Sequence, residues 1–156
     1  MYRKKNREIQ VEEVKIRLEK LVPENHILRA IDKAIDFSFI YEEVEGLYSE
    51  KGRPSIDPVC LFKIVFIQYL FGIRSMRQTI REIEVNNAYR CFIGYSLTEP
   101  VPHFSTFGKN YVRRFAGTNI FERIFKQILE ETEKTGYVDA SAVFIKRAVR
   151  PIFCLH

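Results

Sequence analysis

Residues 105–115 read Ser-Thr-Phe-Gly-Lys-Asn-Tyr-Val-Arg-Arg-Phe. Phe107, Tyr111 and Phe115 recur every four residues, which on a helix places three aromatic rings on one side. Thr106, Lys109, Asn110, Arg113 and Arg114 are then left facing out, a set of hydroxyl, amide and cationic donors. Such a face suits recognition of a nucleic acid. Ser105, as the cap, and Thr106 meet phosphates at a helix start, where N–H groups and the helix dipole already favour anions. Lys109 and Asn110 reach base edges, and Arg113 and Arg114 hold the backbone. Taken alone, the segment reads first as an ordinary amphipathic surface helix. The helix before it tips the reading. Ser75 and Gln78 form a capping box, Thr79, Ile80 and Ile83 make its buried side, and Arg74, Arg77 and Arg81 project from the other. Two such helices across a turn predict a helix-turn-helix surface. His103, directly before the second cap, is expected to be a further phosphate or backbone partner.

Other chemistries lack their residues. His26, His103 and His156 form no i, i+4 pair, so a metal site is not expected. Cys60, Cys91 and Cys154 are too scattered for a disulfide framework and include no Cys-x-x-Cys, which fits a reducing cytoplasm. Glu42-Glu43 and Glu130-Glu131 read as solvated helix faces rather than acid/base pairs. There is no glycine-rich phosphate loop and no nucleophile elbow. The chain is expected to be no enzyme and to need no cofactor of its own.

The elements that position these residues are helical. Thirteen Phe and eight Tyr with only seven Gly favour packed helices over a turn-rich sandwich or barrel. The net charge of +5 is unevenly spread. Residues 24–50 carry seven acids against Arg29 and Lys33, whereas residues 72–116 carry seven basic residues, Arg90 among them, against Glu82, Glu84 and Glu99. The middle of the chain is therefore the anion-facing region. Ile27, Leu28, Ile31, Ala34 and Ile35 predict one amphipathic helix, and Phe37, Ile40, Tyr41 and Val44 a second that ends at Gly46. Asp57-Pro58 starts a third, apolar nearly all round to Phe71, which places it at the centre of a bundle. At thirteen residues from Val59, with Lys63 and Gln68 inside, that apolar stretch is short of the roughly twenty residues a membrane span needs. A short helix follows Asn86-Asn87 and ends at Gly94. The last long helix starts at Thr118, carries Phe121, Ile124, Phe125, Ile128 and Leu129 inward, and stops at Gly136. Residues 137–145 then turn strand-like. Three regions are expected: a basic, loosely ordered arm over 1–22, a helical DNA-binding domain over 23–135, and a remnant over 136–156.

Three stretches carry a resemblance: Gly52-Arg53-Pro54-Ser55-Ile56-Asp57-Pro58, Tyr69-Leu70-Phe71-Gly72-Ile73-Arg74-Ser75-Met76-Arg77-Gln78, and Val101-Pro102-His103-Phe104-Ser105-Thr106-Phe107. In this order they resemble the InsH-type N-terminal domain of DDE insertion-sequence transposases, and Leu21 to His26 and Ile31-Asp32 extend the likeness to roughly residues 20–145. The resemblance implies an all-α helical bundle with a helix-turn-helix-like unit that recognises the element's terminal inverted repeats in double-stranded DNA. It further implies a nuclease domain in full-length relatives, where three acidic residues hold two Mg2+ ions. Val143-Phe144-Ile145 matches the strand that leads to the first of those acids, but Lys146 stands in its expected place, and Asp139 does not take it. Cys91 stands where relatives are expected to have Trp. The chain is accordingly expected to be a truncated or frameshifted, catalytically incomplete transposase front end, cytoplasmic and nucleoid-associated. Two alternatives stay open: a fragment that joins itself or full-length transposase and inhibits it through the helix from Thr118, and a non-functional pseudogene product.

Overall fold

The computed structural model describes residues 16–48 and 55–134. Among them lie seven α-helices: α1 (Ile27–Ala34), α2 (Phe39–Val44), α3 (Pro58–Leu70), α4 (Met76–Val85), α5 (Asn87–Ile93), α6 (Phe104–Asn110) and α7 (Ile120–Lys134). No strand occurs among the described residues, and the fold class is all-α as expected. The strand-like run at 137–145, Gly136 and Lys146 lie outside the described residues.

α3 is the hub, for the reason its sequence gives. Asp57 Oδ1 accepts the Cys60 N–H at 3.2 Å while Pro58 fills the first turn. Leu61, Phe62, Ile64, Val65, Ile67 and Gln68 are buried on several sides of one helix, which only neighbours all round can achieve. α2, α4 and α5 pack against it. α7 closes the remaining side through the Phe62–Phe121 and Phe66–Phe125 ring contacts at 4.6 and 6.2 Å. A lysine survives in this helix because its ammonium is fully used. Lys63 Nζ donates to Asp32 Oδ1 at 2.6 Å and to the Phe92 carbonyl at 2.8 Å, and sits 4.7 Å over both the Phe37 and Phe92 rings.

Helix ends follow local chemistry. Gly72 leaves α3 with φ +60, and Gly94 ends α5 with φ +94, conformations that a side chain would strain. A single residue, Asn86, joins α4 to α5. Its N–H bonds the Glu82 carbonyl to finish one helix, and its Oδ1 accepts the Ala88 and Tyr89 N–H groups at 2.9 and 3.3 Å to start the next. Most of the expected stripe of α7 faces the core, with Ile124 and Ile128 buried and Phe121 and Phe125 packed against it, while Leu129 is only half-buried and Ile120 joins the buried set. Residues 18–21, within the stretch expected to be a weak helix or a loose arm, form a 3-10 turn. Arg29 Nη1 holds it through the Glu19 and Val22 carbonyls at 3.1 and 2.8 Å, and Val22 is buried.

Burial also sets a pH dependence. It pushes the Tyr69 and Tyr95 hydroxyls up to about 12 from 10.0, and the Cys60 thiol up to about 11 from 9.0. The unfolded chain thus releases these protons first as pH rises. Stability is expected to hold up to about pH 9 and to fall between about pH 9 and 12, the cysteine acting first and the tyrosines after it. Urea midpoints measured across that range, with phenolate absorbance followed in parallel, check it. A midpoint independent of pH throughout the range would remove these groups from the account.

Candidate nucleic-acid interface

α4 is made amphipathic by its sequence, and the structure orients it accordingly. Ser75 Oγ accepts the Gln78 N–H at 3.2 Å. Thr79, Ile80 and Ile83 are buried, and Arg74, Arg77 and Arg81 are exposed. The capping box is half formed, because the Gln78 amide bonds Glu82 Oε1 at 3.1 Å rather than turning back to Ser75.

α6 starts one residue pair earlier than expected. His103 caps it: Nδ1 accepts the Ser105 N–H at 3.3 Å and lies 2.8 Å from the Ser105 hydroxyl, in the tautomer with Nδ1 unprotonated. His26 caps α1 in the same way. Histidine is not among the usual caps, so the sequence placed His103 beside the helix start as a backbone partner without identifying it as the cap. Ser105 therefore turns toward His103 and does not itself cap.

The outward set predicted for residues 105–115 needs correcting. Lys109 and Arg113 are exposed, Ser105 and Thr106 are half-buried, and Asn110 is buried. Asn110 Nδ2 donates to the Thr106 carbonyl at 3.0 Å, and its Oδ1 accepts from Arg114 Nη1. Arg114 in turn lies 4.5 Å over the Tyr48 ring. Both side chains face the body of the domain, because positions 110 and 114 fall within the arc that Phe107 and Phe115 bury. The last turn, Tyr111–Phe115, is a π-helix in which the Ala116 N–H reaches back to the Tyr111 carbonyl at 2.8 Å. Its wider turn returns Phe115 to the line of Phe107, a shift that 3.6-residue periodicity does not display.

α4 and α6 are not consecutive, so the expected two helices across a turn are not found. α5 and residues 94–103 intervene, and α5 buries five of its seven residues, which disqualifies it as a reading helix. The two basic faces are nevertheless joined in space. Arg77 lies 4.4 Å over the ring of Phe104, the first residue of α6, and that ring lies 4.1 Å from His103. Arg74 just before α4, Arg77 and Arg81 on it, Lys109 on α6 and Arg113 in its π turn are thus carried by two packed elements, and among the described residues none of the five is in an ion pair. Glu82, half-buried beside Arg74 and Gln78, and the exposed Glu84 interrupt the cations along α4.

Arg90 leaves this surface altogether. Buried in α5, it donates through Nη1 to the Ser96 and Glu99 carbonyls at 2.7 and 2.9 Å and through Nε to the Glu84 carbonyl at 3.4 Å. It braces the loop that leads to α6. No three His, Cys, Asp or Glu side chains converge on a metal-sized space among the described residues. No helix among those residues is long and apolar enough to cross a membrane.

Comparison with known proteins adds one finding. A family model described as a transposase domain, DUF772, matches residues 16–113, which takes in α4 and nearly all of α6 with its π turn. No curated protein and no solved structure matches the chain.

Proposed function

Because the chain belongs to the DUF772 transposase-domain family, we propose that its helical domain binds the terminal inverted repeats of an insertion sequence and leaves DNA cleavage to other parts of a transposase. The contact between Arg77 and Phe104 supports this reading, since it brings the basic side of α4 against the start of α6, whose Lys109 and Arg113 are exposed. In this reading α6 enters a groove with Lys109 and Arg113 on the phosphates that flank it, and Arg74, Arg77 and Arg81 lie toward phosphates alongside. Asn110 and Arg114 are withdrawn from the contact list. Ser105, Thr106 and His103 border the face and shape the start of α6.

The interaction-fragment reading draws less support, since Ile120, Ile124 and Ile128 of α7 are packed into the chain's own core. Lys146, where the resemblance expects the first catalytic acid, supports binding without chemistry.

A titration of the full chain against inverted-repeat and scrambled duplexes at two salt concentrations tests the proposal. Preference for the repeat is expected, with affinity falling steeply as salt rises. In the Arg77→Ala, Arg113→Ala double variant, the slope of log affinity against log salt should be shallower by about 2, roughly one per lost phosphate contact. A salt-independent or sequence-blind complex would overturn it, as would strand cleavage by the chain in Mg2+.

A further inference from the structure

Two residues on the outward face of α6 are unexplained by the domain itself. Val112 is 68% exposed, between Lys109 and Arg113, an isopropyl group held in water on a face otherwise cationic. Gly108 lies one turn before it, inside the helix, with φ in the ordinary range. A Cβ added at Gly108 would meet nothing within 4 Å. No neighbour demands a glycine there, and glycine is the poorest helix former after proline.

Both are explained by one occupant. The major groove of B-DNA is about 12 Å wide and admits a helix, and thymine marks it with a C5 methyl group that takes apolar contacts. We propose that Val112 reads a thymine methyl and that Gly108 is the point at which the α6 backbone approaches the duplex most closely. The flanking ammonium and guanidinium groups hold the strands on either side, which supplies the charge complementarity a bare apolar contact lacks. This inference rests on the DNA-binding reading above and deepens it, by naming the residue that selects a base and the one that sets the depth of insertion.

The test uses the full chain and a duplex that it enriches from a randomised library. Replacing thymine by uracil removes only the methyl groups. Wild-type affinity should fall about fourfold when the contacted thymine is replaced, the worth of one buried methyl group. Val112→Ala should bind the thymine and uracil duplexes equally. Gly108→Ala should raise the melting temperature, since it fills open space in a helix, and yet weaken duplex binding about tenfold by overcrowding the contact. Persistent thymine preference in Val112→Ala, or unchanged affinity in Gly108→Ala, overturns the proposal while duplex binding stands. If wild-type chain that melts cooperatively enriches no duplex, the underlying DNA reading falls as well, and that is seen before any variant is made.

Discussion

Phe62→Ala is expected to destabilise the domain by about 3–5 kcal/mol, read as a shift in the urea midpoint at unchanged slope. The ring is 2% exposed and meets Phe115 and Phe121 at 5.7 and 4.6 Å. Its removal opens a cavity where α3, the π turn and the first turn of α7 meet. Against a total stability of about 5–15 kcal/mol for a typical domain, such a loss brings the folded state close to its limit. Leu70→Ala, on the same helix but 37% exposed, should cost under about 1 kcal/mol. Equal effects of the two substitutions would mean that α3 is not the hub described.

Arg90→Met is the second large effect, expected at about 2–4 kcal/mol. Methionine fills similar space but donates nothing, so the Ser96 and Glu99 carbonyls lose a charge-assisted partner. Hydrogen exchange over residues 95–103 should accelerate more than exchange in α3. DNA affinity should also fall, although Arg90 is buried and touches no partner, because the loop it braces sets where α6 begins. Unchanged exchange in that loop would show that the guanidinium is dispensable to it.

These two residues mark the divide between what the sequence displays and what it conceals. The role of α3 could be read because its signals are local: Asp57 and Pro58 start it, apolar side chains surround it, and Gly72 stops it. The α4 face could be read for the same reason, from Ser75, Ile80 and Ile83 against three arginines. Arg90 could not, because a buried guanidinium depends on carbonyls that the chain delivers six and nine residues later. Asn110 and Arg114 were misplaced for a related cause. Their polarity argues for solvent, whereas Arg114 is drawn in over Tyr48, from a distant part of the chain, and Asn110 is held by Arg114 and the Thr106 carbonyl. The joining of α4 to α6 rests on Arg77 meeting Phe104, a contact that no spacing announces. Sequence pattern thus identified most of the cations of the candidate face and failed on the polar groups whose partners are assembled only by folding.

The one-residue corner at Asn86 bears on how fast and how tightly a partner can be met. α4 runs into α5 without slack, and α5 is anchored by its buried side chains. The arginine row therefore keeps its bearing before any encounter, so docking orders little that was not already ordered and loses little conformational entropy. Under the proposed DNA binding, association would be paced by electrostatic steering rather than by folding on the target. Insertion of two or three glycines at this corner would preserve every charge while releasing that bearing, slowing productive capture without changing the net attraction.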